Sequence, residues 1–457
     1  MRTNETAENV FGYTGVMMKK RMIAALLAVV QLAMWLTTAG MAAAPSSGTS
    51  GGAPTIDHCT GAYLYNFEND TVLLEQGANE RIYPTSTVKI MTGIVAIEAL
   101  ENDLQKEIVI TEEILAKSSG NRIGFESGEI VTVEQLLYGM LVNSANDAAI
   151  ALAYAAYGSV EAFVDKMNEK ATRLGAYNTY YANPTGMHSD VMVTTIADTA
   201  IIAKYAYTLP LFMEIVSTPK YVMEATNESD YRNIYNRNCL ISKYYNTNYY
   251  YSRAIGMNAG STTQGGYAIC AVAEEPATGL TYLTIVMGAE SVDKALYNYI
   301  NAIKLFEWAF TSFKYVEVLR ADKIICELPV QLSSTLDYVT LVPENSITVY
   351  LPAETVVETD IRYSYNTYTD TLDAPVQTGQ EAGTITVLMD DRILGSCALI
   401  TTSSVARSEF LYFLARVRSF TEGRFFKAAV VSAIVLTIAY ILICAHLRER
   451  RLRTRRR

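Results

Sequence analysis

An unbroken apolar segment near the C-terminus constrains this chain more than any other feature. Residues Ala428 to Ala445 are almost wholly apolar, and a helix needs roughly 17 to 25 such residues to cross a bilayer. The tail that follows, residues 447–457, contains seven Arg and one Glu. The positive-inside rule predicts this order for a membrane-spanning helix, whereas a buried core helix does not require it. We therefore expect a transmembrane helix over residues 428–446, with the lipid bilayer as its partner, and a cytoplasmic tail over residues 447–457.

The N-terminus has the order of a secretory signal peptide. A basic cluster at Lys19 to Arg21 precedes an apolar run from Met22 to Leu36, and small residues follow through Ala44. An uncleaved anchor helix is the alternative, but the run is shorter than the ~20 residues of a span. We predict a signal peptide over residues 1–44 and a flexible linker over residues 45–56. The part between the two apolar segments would then lie outside the cytoplasm, on a single-pass protein of the cell membrane.

Charge and rare residues exclude several kinds of function. The net charge is −10, and the two ends are basic, so the middle of the chain holds about −18. Such an acidic region argues against a nucleic-acid partner, which needs a basic face. The six cysteines form no C-x-x-C pair, and the chain has only three histidines. We therefore expect no disulfide framework, no metal site, no cofactor and no Ser-His-Asp triad.

Apolar periodicity predicts an α+β domain over residues 57–316. It mixes segments of helical spacing with short alternating or continuous apolar segments. The expected elements are a hairpin over Ala62–Asn66 and Thr71–Leu74, helices over Ser86–Leu100, Val133–Leu141, Asn146–Ala156, Val160–Leu174 and Lys294–Phe313, and paired strands over Gly266–Ala273 and Tyr282–Gly288.

After Val316 the sequence becomes β-branched and alternating, which predicts a small all-β domain over residues 317–402. Its expected strands include Ile347–Tyr350, Val356–Thr359 and Thr384–Leu388. A juxtamembrane segment over residues 403–427 follows, with an amphipathic helix expected over Val405–Phe420.

One S-x-x-K sequence lies where it could support nucleophilic chemistry. Ser86-Thr87-Val88-Lys89 begins the first predicted helix, so the Lys89 amine lies about one turn from the Ser86 hydroxyl. A lysine in a desolvated pocket is shifted toward its neutral form and can take the serine proton. Ser217–Lys220 and Ser291–Lys294 match the same pattern, but neither starts a well-formed amphipathic helix.

A second short motif lies in the turn between two predicted helices. Ser144-Ala145-Asn146 can present a hydroxyl and an amide to a cleft, although a helix N-cap is an equally good explanation of Ser144. Ser119–Asn121 and Ser364–Asn366 match the same S-x-N pattern. The position of Ser144, 58 residues after Ser86 and before a helix, distinguishes it from them.

Longer phrases carry a resemblance to a known family. These are Tyr83–Thr92, Leu136–Ala149, Leu174-Gly175 and Asn183–Gly186. In this order they resemble the low-molecular-weight, penicillin-binding D-alanyl-D-alanine carboxypeptidases, membrane-anchored serine peptidases that trim peptidoglycan stem peptides. The resemblance implies a serine β-lactamase/DD-peptidase-like domain, in which helices flank an antiparallel sheet, followed by a β domain. It also implies peptidoglycan stem peptides as substrates and β-lactam antibiotics as acylating inhibitors.

The resemblance assigns roles to individual residues by position. Ser86 would be the acyl-forming nucleophile and Lys89 its proton acceptor. Ser144 would relay protons to the leaving amine, and Asn146 would hold the substrate's amide. Backbone N–H groups, including that of Ser86, would form the oxyanion hole.

One family motif is altered. The family's Lys-Thr-Gly, which helps hold the substrate's terminal carboxylate, falls on Asn258-Ala259-Gly260. A charge-assisted hydrogen bond contributes about 1.5 to 3 kcal/mol, or roughly ten- to a hundred-fold in binding or rate. Because the motif's lysine cation is missing, we expect reduced or altered carboxypeptidase activity. Arg253 is one candidate to compensate for it.

Two other functions compete with carboxypeptidase activity as explanations of these motifs. The alternative from a different class is a non-catalytic muropeptide-binding or scaffold protein with the same fold. A β-lactamase is disfavoured, because no E-x-x-L-N sequence follows Ser144 to supply a deacylating carboxylate.

Overall fold

The computed structural model describes residues 52–454. The predicted signal peptide and most of the predicted linker lie outside the described residues. The chain divides into two compact units, the first ending at Ala309 and the second beginning at Phe310. The first unit mixes helices with strands and the second is largely β, which confirms the predicted α+β class with a β-rich C-terminal part.

A five-stranded antiparallel sheet forms the framework of the first unit. In spatial order its strands are Thr71–Gln76, Gly61–Asn66, Leu280–Ala289, Gly266–Glu275 and Ala254–Thr262. The predicted hairpin and the two predicted apolar strands are confirmed. Within residues 52–454, Ala254–Thr262, hereafter the edge strand, pairs with a strand on one side only. Backbone N–H and C=O groups on its other edge have no strand partner in this part of the chain.

Helices pack around a buried central helix, Val88–Leu100. Gly93 on this helix is in close contact with Phe212 and Leu141, so two neighbouring helices approach it tightly. The helices of this unit are Val88–Leu100, Glu112–Lys117, Val133–Asn143, Asn146–Tyr157, Val160–Leu174, Ile196–Tyr207, Pro210–Val216 and Tyr297–Ser312, whose last residues begin the second unit.

The helices predicted for the first unit are confirmed, and one start differs by three residues. The helix Val160–Leu174 begins at the Ser159 cap, whose hydroxyl accepts from the Ala162 N–H at 3.1 Å. It ends at Gly175, which adopts a φ of +92°. The helix expected from Lys294 begins only at Tyr297. The reason is that Ala295–Leu296 pairs with Ser291–Val292 as a short hairpin before the helix starts.

A buried ion pair joins two of the short strand pairs, Glu107–Val109 with Ile130–Thr132 and Lys220–Met223 with Arg232–Tyr235. The Glu129 side chain is fully buried, and Arg232 donates to its two oxygens at 2.6 and 3.0 Å. Burial raises the pKa of Glu129, but the hydrogen bonds from Arg232 and other donors outweigh burial, so the pKa lies below its usual value. The carboxylate therefore stays charged at neutral pH.

The second unit contains a six-stranded sheet and a separate strand pair. The sheet has, in spatial order, Ile361–Thr367, Glu381–Met389, Arg392–Thr401, Tyr338–Pro343, Cys326–Gln331 and Leu372–Asp373, and the pair is Phe313–Leu319 with Ile347–Pro352. The strand predicted over Val356–Thr359 is wrong. Val357–Asp360 is a single helical turn, because the Asp360 carboxylate accepts from the Val356 N–H at 2.8 Å and closes the turn.

Two helices end the described chain. The amphipathic helix predicted from Val405 runs instead over Glu409–Glu422, because Val405 forms a β-bridge with Val376 and Ser408 caps the helix. The last helix is Arg424–Thr454. Within residues 52–454, it holds the one unbroken helix long and apolar enough to cross a membrane, over Arg424–Arg448. Its length, composition and exposure suit association with a membrane.

Candidate active site

Ser86 lies in a tight turn at the start of the central helix. Residues Thr85–Thr87 form a turn of 3-10 helix that leads directly into Val88–Leu100. Thr85 has a φ of +53°, an unusual value for a β-branched residue. A Cβ added to Gly186 would overlap the Thr85 carbonyl, so only glycine fits beside this turn. The strained turn leaves the Ser86 side chain partly exposed while its neighbours are buried.

Lys89 is the buried base candidate. It is 1% exposed, and its Nζ donates to the backbone carbonyl of Thr185. Burial lowers the pKa of Lys89 from 10.5 to about 7, because the ammonium form loses its hydration. The amine is therefore partly neutral at physiological pH, which a proton acceptor requires. The Thr185 carbonyl accepts a hydrogen bond from the Lys89 amine. In the neutral amine, the nitrogen lone pair is left to accept the serine proton.

The loop Asn183–Gly186, hereafter the clamp loop, holds both groups. Asn183 Oδ1 accepts from the N–H groups of Thr185 and Gly186 at 3.1 and 2.9 Å, and from Thr185 Oγ1 at 2.8 Å. Thr92, on the central helix, donates to the Pro184 carbonyl at 2.7 Å. The loop is thus fixed internally and to the helix. The sequence shows this phrase but indicates no role for Thr185, since any residue type can supply a backbone carbonyl.

Ser144 and Asn146 lie in the predicted turn between two helices. Ser144 ends the helix Val133–Asn143 in the left-handed conformation, with a φ of +59°, and is 7% exposed. Asn146 starts the next helix, and its N–H donates to the Asn121 carbonyl at 2.7 Å. Its Nδ2 donates to the Ser119 carbonyl at 2.5 Å. The segment Ser119–Asn121, which matches the same S-x-N pattern, therefore holds Asn146 in place through its backbone carbonyls.

The edge strand brings Gly260 against Ser86. A Cβ added to Gly260 would overlap both Cβ and Oγ of Ser86, so the strand passes directly beside Ser86. Asn258 is two residues earlier, and alternation places its side chain on the same face. Ala259 lies between them, is 4% exposed, and by the same alternation faces the other side of the sheet.

The clamp loop also connects the two halves of the site. Its neighbour Met187 is held by Asn183 Nδ2, which donates to the Met187 carbonyl at 2.9 Å. The Met187 sulfur and the Asn146 amide nitrogen both lie against Gly120, 3.1 and 3.0 Å from where a Cβ would be. The structure thus places the Asn258–Gly260 segment of the edge strand beside Ser86 and connects the Ser144–Asn146 turn to the clamp loop through Gly120 and Met187.

One proposed compensation for the altered motif is not supported. Arg253 forms ion pairs with Glu275 at 2.7 Å and with Glu307 at 3.6 Å. Its charge is therefore already balanced by two carboxylates.

We expect Gly260→Ala to slow acylation of Ser86 by more than about tenfold, since the new methyl group would overlap the Ser86 hydroxyl. The measurement is the rate of covalent labelling by a fluorescent penicillin. Gly52→Ala is the control, because a Cβ there meets nothing within 4 Å. An unchanged labelling rate in a folded Gly260→Ala protein would contradict the close approach of strand and nucleophile.

Comparisons with known proteins identify the family of the chain. A family model described as D-alanyl-D-alanine carboxypeptidase matches residues 49–291, and one described as the C-terminal domain of penicillin-binding protein 5 matches residues 313–407. D-alanyl-D-alanine carboxypeptidase DacF of Bacillus subtilis is 28% identical over 360 residues, which cover 78% of this chain and 88% of DacF.

Solved structures show the same fold. Penicillin-binding protein 5 from Haemophilus influenzae superposes with a TM-score of 0.55 at 24% identity, covering 78% of this chain and 100% of that one. The Streptomyces K15 DD-transpeptidase superposes with a TM-score of 0.51 at 28% identity, covering 57% of this chain and 99% of that one.

Proposed function

Because this chain belongs to the D-alanyl-D-alanine carboxypeptidase family of serine peptidases, we propose that it removes the terminal D-alanine of peptidoglycan stem peptides through an acyl-enzyme on Ser86. The observation that carries the proposal is the buried Lys89, whose pKa is lowered to about 7 beside a strained serine turn. A neutral amine one helical turn from a hydroxyl is the arrangement needed to activate serine without histidine.

The proposed reaction has two steps. Lys89 takes the Ser86 proton as Oγ attacks the carbonyl carbon of the scissile D-alanyl bond. The oxyanion is stabilised by backbone N–H groups, including that of Ser86, and Ser144 relays the proton to the leaving amine. Asn146 Oδ1 accepts from an amide N–H of the substrate. Water then attacks the Ser86 ester, which releases the shortened peptide and restores the serine.

A test of this function uses β-lactams, which acylate such serines. We expect a fluorescent penicillin to label the purified protein on the peptide containing Ser86, and the Ser86→Ala protein to show no labelling. D-alanine release from a stem pentapeptide should be lost in the same variant. Labelling that persists in Ser86→Ala would overturn the assignment of the nucleophile.

The second candidate function is a non-catalytic muropeptide-binding or scaffold protein. The neutral Asn258 at the position of the family's cation favours it, because a charge that binds substrate is missing. Absence of both labelling and D-alanine release, together with muropeptide binding in solution, would establish this alternative in place of the enzyme.

The proposed organisation places the site outside the cell membrane. We propose a signal peptide over residues 1–44, a linker over 45–56, a catalytic domain over 57–316 and a β domain over 317–402. The juxtamembrane segment 403–427 would lead to one span over 428–446 and an Arg-rich cytoplasmic tail over 447–457. The exposed apolar helix and the basic tail support this topology. Protease digestion of intact cells should remove the catalytic domain and spare the tail.

A further inference from the structure

Asn258 lies on the face of the edge strand that meets Ser86. Gly260 on the same strand contacts Ser86, and Gly256 contacts Val216 of the helix Pro210–Val216. Residues 258 and 260 share one face, because the pairing is regular over this part of the strand and side chains alternate along it. Asn258 therefore lies on the face that meets Ser86, about 6.7 Å along the strand from Gly260.

Two buried amide groups in this cleft lack partners for their oxygens. Asn146 and Asn258 are 4% and 3% exposed, and neither Oδ1 atom has a hydrogen-bond partner among the described residues. The Asn146 amide is held in one orientation by its bond to Ser119, so its oxygen faces the cleft as an acceptor. A ligand that donates N–H groups would satisfy such atoms, and a ligand rich in negative oxygens would not.

Three cations on these and neighbouring segments are held by other groups. Lys89 donates to the Thr185 carbonyl, and burial keeps it partly neutral. Arg253 is held by two carboxylates. Arg237 donates to Asn121 Oδ1 at 2.5 Å and lies 4.8 Å from the centre of a tyrosine ring.

A free carboxylate beside Asn146 and Asn258 would meet two neutral amides. Such a charge is costly to desolvate without a matching cation.

We propose that Asn258 makes this site selective for acyl donors whose residue after the scissile bond carries no free carboxylate, such as a C-terminal amide or an internal D-alanyl peptide bond. The inference rests on the proposed acyl-enzyme function and narrows its substrate class. An amide N–H of such a donor can bond to the Asn258 oxygen, and no charge needs to be balanced.

The chemistry is the same as that of the proposed function. The Ser86 Oγ–acyl bond forms, the scissile C–N bond breaks, and the proton reaches the leaving amine. The leaving group is then an amino-acid amide or a peptide amine, and water hydrolyses the ester. Only the charge of the leaving group differs.

The test compares two matched peptides, N-acetyl-D-alanyl-D-alanine and its C-terminal carboxamide, with the full-length protein in detergent. For the wild type we expect kcat/KM for the carboxamide to exceed that for the free acid by at least tenfold. Asn258→Lys should reverse the preference and raise free-acid turnover by about ten- to a hundred-fold. Asn258→Leu, which is neutral and similar in size but lacks the acceptor oxygen, should lower carboxamide turnover and leave free-acid turnover low.

The outcomes separate this inference from the function on which it rests. A wild type that cleaves the free acid as fast as the carboxamide overturns the inference and leaves the enzyme function intact. Penicillin labelling of Ser86 without preferential cleavage of the carboxamide also overturns the inference and leaves the acyl-enzyme function intact. No labelling and no cleavage of either peptide overturns both. The main comparison uses the wild type, so it does not depend on the folding of Asn258→Lys.

Discussion

The Lys89→Met protein is expected to be acylated by penicillin about 10² to 10⁴ times more slowly than the wild type, the usual contribution of a general base. Methionine matches the lysine stem in length and is apolar, so it suits a position that is 1% exposed. The variant should therefore keep its fold and lose only the proton acceptor. Stopped-flow measurement of the acylation rate constant gives the comparison.

The pH profile provides a second measurement of the same role. Only neutral Lys89 can take the serine proton, and the pKa of Lys89 is about 7. The wild-type rate should thus rise with pH through about 7 and level off above it, while Lys89→Met should be flat. Lys117→Met is the control, because Lys117 is a solvent-exposed side chain in surface ion pairs. A wild-type profile without this inflection, or a Lys89→Met rate within twofold of the wild type, would refute the assignment.

The largest expected loss of stability follows from Arg232→Met. Removing Arg232 leaves the fully buried Glu129 carboxylate without its cation, and breaking a buried pair in this way costs about 3 to 5 kcal/mol of unfolding free energy. In a domain of this size that loss lowers Tm by roughly 6 to 20 °C. Differential scanning calorimetry measures the shift.

A matched surface pair provides the control. Arg320 and Asp322 are joined at 2.7 Å, but their side chains are 66% and 67% exposed. Exposed pairs contribute about 0 to 1 kcal/mol, so Arg320→Met should leave Tm nearly unchanged. Restoration of Tm in a double variant, Glu129→Met with Arg232→Met, would show that the unpaired charge causes the loss. Equal effects of the two single Arg variants would contradict this.

Sequence patterns predicted the elements whose causes are local. The helix Val160–Leu174 has its predicted bounds because a serine cap and a glycine stop are both visible in the sequence. No sequence pattern predicted the edge strand Ala254–Thr262, in which Gly256 and Gly260 interrupt the apolar alternation. The strand predicted over Val356–Thr359 failed because β-branched residues suggested a strand where one carboxylate closes a helical turn.

The parts of the site that the sequence did not predict depend on the backbone. The positive φ of Thr85 and the Thr185 carbonyl that holds Lys89 both arise from how the clamp loop packs. Neither requires a particular side chain at its own position, so residue types alone could not indicate them. Gly186 was quoted in a family phrase, but its overlap with Thr85 becomes a reason for glycine only when both backbones are placed.

The clamp loop couples two properties that enzymes usually adjust separately. One asparagine, Asn183, fixes both the carbonyl that holds the base and the glycine that supports the serine turn. Any displacement of this loop changes both the basicity of Lys89 and the orientation of the Ser86 hydroxyl. A compound that binds beneath the loop, away from Ser86, would thus inactivate the enzyme by disturbing Lys89 and Ser86 at the same time. Such an inhibitor need not resemble a peptide or a β-lactam. Because it would not react with Ser86, a change that lowers the reactivity of Ser86 would not prevent it from binding.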